Sequence, residues 1–219
     1  MPDPNGHGGR HHGGHGHATD NDLGITHQPT HALPAAAMLG LLDRAIGEAQ
    51  AIIDQVPDAS WANPSPCEGW SARDVANHLV QSNRWAHQLM TDSDQPRPSG
   101  DVLGDAPAQA FADSAHALLS ALRAPAARDR TYQSPFGTMP LGSYCAFLAL
   151  HVGNHAWDVA KATGQPTGFA PELNETLLGL ATTFMGRMPR EHAPFAAAVE
   201  VPDTLPAADR LAAFLGRQP

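Results

Sequence analysis

The sequence predicts an all-α protein, an antiparallel four-helix bundle with short C-terminal additions. Three observations lead there. Alanine is abundant while β-branched and aromatic residues are sparse, which favours helices over sheets. Four long stretches repeat apolar residues at three- and four-residue steps, the period of an amphipathic helix. Loops rich in Pro, Gly, Ser and Asp separate them, and helices of this kind bury their apolar faces against one another. A chain of 219 residues with 42% hydrophobic side chains is long enough for one well-packed core.

Residues 1–31 are mainly Gly, His, Pro, Asn and Asp and carry seven of the thirteen histidines. So little apolar surface cannot offset chain entropy, so this segment is expected to be a disordered tail preceding a domain at 32–219. A neutral extension is the plainer reading of it, and a loose chelating arm the alternative. The first helix is expected from about Pro34 to Val56, with Leu39, Leu42, Ile46, Ala49 and Ile53 on one face and Pro57 ending it. Residues 60–70 read as a loop, its Trp61 and Trp70 anchoring it to the bundle. Ser71 and Asp74 form a capping-box pattern, which starts the second helix at Ala72 and lets it run to about Met90. Asp105 is expected to cap a third helix, with Pro107 in its first turn and its end near Leu122. Residues 131–139 are expected to make a short hairpin or a lid. The fourth helix is expected from Leu141 to Thr163, stopped by Gly164. Residues 171–187 and 207–216 suggest two shorter helices.

The formal net charge of −9, with no basic stripe, argues against a nucleic-acid partner. No apolar run reaches the roughly 20 residues that span a bilayer, and the N-terminus has no signal-peptide core. A cytoplasmic protein with no membrane partner is expected. The two cysteines, Cys67 and Cys145, have no paired spacing. They are expected to be thiols that act as small hydrophobes, and nothing beside Cys67 would lower its pKa.

The chemistry lies in three histidines. His151 and His155 are four apart and lie one above the other on the fourth helix, on a stripe with Tyr144 and Leu148. His78 shares the stripe of Val75, Ser82 and Trp85 on the second helix and faces inward too. One inward histidine is commonly a hydrogen-bonded core residue. Three on two helices, each needing a buried partner, point to a shared metal ion. Neutral imidazole suits zinc, nickel, copper and iron(II), and three protein ligands leave a position open, the pattern of a catalytic zinc site.

Pro66-Cys67-Glu68-Gly69-Trp70, followed by Asp74 and His78-Leu79, resembles the Pro-Cys-x-Gly-Trp-x-x-x-Asp-x-x-x-His-Leu segment of the DinB-like metal-binding superfamily. More specifically it is similar to the mycothiol-dependent maleylpyruvate isomerase N-terminal domain branch. His155-Ala156-Trp157-Asp158 through Gly164 matches that branch's His-x-Trp-Asp-Leu-Ala-x-Ala-x-Gly. Residues 209–217 resemble the ending of an actinobacterial subgroup, so the likeness covers about residues 34–219.

The resemblance implies a DinB-type bundle holding one divalent metal, usually zinc, with His78 as first ligand, His155 as last and position 151 between them. That position is often Glu in the isomerase branch and is His151 here, so this site has one negative charge fewer. The resemblance also implies a function: a mycothiol-dependent transferase or isomerase in which a metal-activated thiolate attacks a small electrophilic substrate. Arg84 would pair with a carboxylate of thiol or substrate, or simply be a solvated helix charge. Asp158 would orient a ligand histidine or fix its helix, and Tyr144 and Trp85 would line the pocket or the core. A non-catalytic metal-binding or sensing module and a metal-dependent hydrolase remain the other readings. Exposed bundle faces would allow a homodimer.

Overall fold

The structure, a computed structural model, describes residues 33–134, 137–185 and 196–219. The expected tail at 1–31 lies outside them, as do residues 186–187 of the fifth expected helix and the tip of the hairpin. The described residues form helices α1 (Ala35–Asp54), α2 (Ala72–Met90) and α3 (Pro107–Arg123), strands β1 (Thr131–Ser134) and β2 (Gly137–Pro140), and helices α4 (Leu141–Ala162), α5 (Pro171–Met185) and α6 (Ala207–Phe214). Single 3₁₀ turns occupy Asp58–Ser60 and Pro125–Ala127. The fold is all-α and DinB-like, and the two antiparallel strands pair from Thr131–Pro140 to Ser134–Gly137. No helix among the described residues is long and apolar enough to cross a membrane.

Local chemistry sets the helix ends. Ser71 Oγ accepts from Asp74 N, while Asp74 Oδ2 accepts from Ser71 N at 2.9 Å, so the capping box starts α2 where the sequence places it. Those bonds hold the Asp74 carboxyl below its ordinary range. At the end of α4, Gly164 takes φ +70°, and the amide of Gln165 reaches back to Ala160 O at 2.9 Å. That closes the helix with a Schellman turn. Asp105 does not cap α3. The helix begins at Pro107 with Ala106 at the cap, which leaves Asp105 one residue too far back to reach the first-turn amides.

Four contacts fix the bundle's connectivity. A Cβ on Gly142, near the start of α4, would meet the carbonyl of Leu33, just before α1. At the opposite ends, Gln165 Nε2 donates to Ile52 O at 3.0 Å. Helices α1 and α4 therefore run in the same direction. Likewise Arg73, at the start of α2, donates to Gly104 O just before α3, and Arg130, beyond α3, donates to Met90 O at the end of α2. Helices α2 and α3 are therefore parallel, and the connection at 91–106 crosses the length of the bundle to join them. The opposed neighbours are α1 with α3, tied by Arg123 and Asp43 at 3.0 Å, and α2 with α4. Leu42, Ile53, Leu79, Phe111, Leu118, Leu122 and Leu177 are fully buried in the shared core. Helices α5 and α6 pack on each other and against α4.

Candidate metal centre

The facing sides of α2 and α4 bring His78, His151 and His155 together. One nitrogen from each lies within 4.8 Å of the others. The ring centroids stand 5.0 Å (His78–His151), 5.0 Å (His78–His155) and 4.7 Å (His151–His155) apart, with every pair of planes steeply crossed. Packed ring against ring, the three imidazoles leave one nitrogen of His151 without a hydrogen bond. His151 is half-buried as a residue, yet its Nε2 is shielded from solvent and has no hydrogen-bond partner among the described residues. A buried, unpaired imidazole nitrogen beside two others costs free energy unless something accepts its lone pair. A divalent cation is such a partner, and the donor set fits one that prefers nitrogen.

Burial, reinforced by His155 and Arg97, pushes the His78 pKa down to about 4. Burial, with the two neighbouring imidazoles, carries His151 well below its ordinary value. Both rings are therefore neutral at pH 7, the form that ligates. The folded values lie below the unfolded value of about 6.5, so between pH 6.5 and about 4 the unfolded chain takes up protons that the metal-free native chain does not. These groups leave stability intact above pH about 6.5 and subtract from it as the pH falls toward 4. The slope is about 1.4 kcal/mol per pH unit for each such proton. Urea midpoints of metal-free protein are expected to fall between pH 7.5 and 5, and less steeply in the His151→Ala variant. An equal fall in both would mean that His151 is not the source.

Behind the triad sits a second cluster. Asp158, 0% exposed, accepts from His155 Nδ1 at 2.9 Å, from Arg217 Nε at 2.8 Å and Nη2 at 3.0 Å, and from the Cys67 thiol at 3.2 Å. Burial alone would raise the Asp158 carboxyl, but the bonds from His155 and Arg217 outweigh it and keep it below its ordinary value. An ionised carboxylate makes His155 Nδ1 the donor and leaves Nε2 free to ligate. Burial, with the adjacent carboxylate, pushes the Cys67 thiol up to about 12, and burial pushes Cys145 to about 12 as well. Both are free cysteines, as expected, and neither is a thiolate at neutral pH.

Residues 42–160 match the family model for the mycothiol maleylpyruvate isomerase N-terminal domain. The chain belongs to this family. The match includes all three histidines and Asp158 and ends before α6. Two uncharacterized proteins of Mycobacterium tuberculosis, from strains CDC 1551 / Oshkosh and ATCC 25618 / H37Rv, are each 34% identical over 170 residues. Those residues are 76% of this chain and 90% of the relative. The crystal structure of the mycothiol-dependent maleylpyruvate isomerase superposes with a TM-score of 0.53 at 20% identity, covering 67% of this chain and 68% of that one. A histidine-to-alanine mutant of the enzyme gives 0.50 at 21% identity over the same shares. At that identity the likeness establishes the fold.

In this member of the mycothiol maleylpyruvate isomerase N-terminal family, the other residues singled out from sequence scatter. Asp158 touches a candidate ligand directly. Arg84 is exposed and turned toward Val102 O at 3.4 Å, on the side of the 91–106 connection. Arg97 is the cation whose charge reaches His78, and its guanidinium lies 5.6 Å over the half-buried Trp85 ring. Tyr144 is core: 3% exposed, it stacks on Tyr132 at 5.2 Å. Trp61 packs against the core as expected, but Trp70 is no anchor. It is 37% exposed and lies edge-on to His78 at 5.0 Å and parallel to His155 at 6.4 Å, forming an aromatic wall beside the triad. Gly69, at φ +76°, makes the turn that puts it there.

Proposed function

We propose that this chain is a cytoplasmic divalent-metal protein, and that it works as a mycothiol-dependent transferase or isomerase on a small electrophilic substrate. His78, His151 and His155 would hold the ion, zinc first, with nickel and iron(II) the other metals that suit an imidazole site open at one position. The observation that carries the reading is the convergence of three imidazoles, one with a shielded nitrogen that has no partner among the described residues. When bound, such an ion supplies Lewis acidity that brings a thiol's pKa into the neutral range.

The rest follows from the chain's own groups. Cys67 and Cys145 are held as thiols, so the attacking sulfur comes from a diffusible low-molecular-weight thiol, and the family's name makes mycothiol the first candidate. The Trp70 ring shields one side of the triad from water and offers an apolar face to the substrate. Arg97, rather than Arg84, stands where it can attract a carboxylate of thiol or substrate toward His78. The substrate is assigned only as an electrophile, because His151 stands where the isomerase branch often has a carboxylate.

Incubating zinc-loaded protein with mycothiol and a panel of electrophiles tests the reading. Turnover is expected that needs both thiol and metal and falls by at least about 100-fold in His78→Ala, the scale on which loss of a required group lowers a rate. Thiol-independent hydrolysis would favour the hydrolase reading. Stoichiometric metal with no turnover at all would favour a binding module.

A further inference from the structure

We infer that Arg217 is a positioning residue for the metal centre: it holds Asp158, and through Asp158 it fixes the orientation of His155. This rests on the reading of His155 as a ligand.

Helix α6 ends in a tight turn. Gly216 adopts φ +86°, its amide donates to Ala213 O at 3.0 Å, and the Arg217 amide donates to Ala212 O at 2.9 Å. These two bonds make a Schellman turn. The turn needs glycine: besides the left-handed backbone, a Cβ at Gly216 would come within 2.7 Å of Ala196 Cβ. It reverses the chain and delivers the Arg217 side chain into the cluster behind the histidines. There the guanidinium grips both oxygens of Asp158, Nε on Oδ1 and Nη2 on Oδ2, while Nη2 also donates to Cys67 Sγ at 3.1 Å. The Arg217 side chain is 15% exposed and that of Asp158 0%, so water cannot replace this contact cheaply.

Asp158 Oδ2 is the atom that accepts from His155 Nδ1. It also receives the Cys67 thiol, so three donors share one oxygen and their geometry is mutually constrained. Remove the guanidinium and the carboxylate loses its only partner at Oδ1 among the described residues, and with it the contact that sets the plane of the group. The neighbouring residue Trp157 donates from Nε1 to Asp209 Oδ1 at 2.7 Å, in the first turn of α6. Two consecutive residues of α4 thus secure both ends of α6, but only the Arg217 end connects to a candidate ligand. Coupling of this kind is reciprocal: what strengthens one end of the chain of contacts strengthens the other.

Zinc affinity measured by chelator competition on the full chain tests this, together with the visible absorption spectrum of the cobalt(II)-loaded protein. Supporting carboxylates of ligand histidines typically govern affinity by about 10–100-fold, and a loss in that range is expected for Arg217→Ala with a changed cobalt spectrum. Arg217→Gln, which keeps length and a hydrogen-bonding end, serves if the alanine variant fails to fold, and a smaller loss of at least about 3-fold is expected of it on the same scale. Asp209→Asn loosens the opposite end of α6 and is expected to leave affinity and spectrum unchanged. Tight wild-type binding with unaltered affinity and spectrum in the Arg217 variants overturns the inference alone. An equal loss in Asp209→Asn overturns it too, by reducing Arg217 to a docking contact. Wild-type protein that binds no stoichiometric zinc overturns the metal reading and the inference together.

Discussion

Replacing His151 with alanine is expected to lower zinc affinity by two orders of magnitude or more, while leaving the metal-free protein as stable as before or slightly more so. The two halves have one cause. His151 Nε2 is shielded and unpaired, so in the metal-free protein it is a cost that alanine removes, partly offset by the cavity left behind. With zinc at about 1,000 times its Kd, wild-type protein gains about 4 kcal/mol, which for a domain of this size is a rise of roughly 10 °C in Tm. At the same zinc concentration His151→Ala, its affinity weakened by two orders of magnitude or more, is expected to keep at most about a third of that rise. His151→Glu, which restores the carboxylate often found at this position in the isomerase branch, is expected to keep all of it. Deleting residues 1–31 is expected to leave about one tightly bound zinc per chain. Thermal scans with and without zinc check the two substitutions and metal analysis of the truncated chain checks the third, and an unchanged shift in His151→Ala would remove this residue from the ligand set.

Trp157→Ala is expected to be the most destabilising single change in α4. Trp157 is 1% exposed and among the largest fully buried side chains, so truncation opens a cavity costing about 3–5 kcal/mol. It also strips Asp209, itself only 8% exposed, of its indole donor, adding about 1–3 kcal/mol for a polar group left unpaired. Trp157→Phe separates the two contributions, since it keeps most of the volume and loses only the hydrogen bond, and about 1–3 kcal/mol is expected. Urea midpoints of the two variants give the comparison. Equal midpoints would place the whole effect in the hydrogen bond.

Most of the helices were legible in the sequence because their ends are written in local chemistry. Ser71 with Asp74 and Ala162-Thr163-Gly164 carry their capping signals within a few residues, and the observed ends fall where those signals put them. The histidine triad was legible for a related reason. Helical periodicity places His151 over His155 and turns His78 inward, and a bundle then brings inward faces together. Asp105 misled because it stands one residue before the cap, an offset finer than composition can settle. What stayed hidden depends on long-range packing. Nothing near Trp70 distinguishes an anchor from an exposed wall, since its place depends on α4 passing beneath it. Arg217 is 59 residues from Asp158, and only the Schellman turn at Gly216, set against the docking of α6, brings them together. Arg97 likewise reads as one more loop charge until the crossover carries it back toward α2.

The connectivity of the bundle bears on how the chain reaches its fold. Helix α1 lies against α4, the last of the four long helices, while α2 lies against α3 across a connection that must traverse the whole bundle. No two consecutive long helices make the short-looped hairpin that lets a simple bundle assemble from local pairs. The principal contacts of α1 are therefore separated in sequence by about half the chain, and loop-closure entropy must be overcome before they form. The apolar face of α1, with Leu42, Ile46, Ala49 and Ile53, has to wait for α4 to be covered. A chain interrupted between α3 and α4 would expose that face, and aggregation rather than a stable three-helix fragment is the fate its topology prescribes.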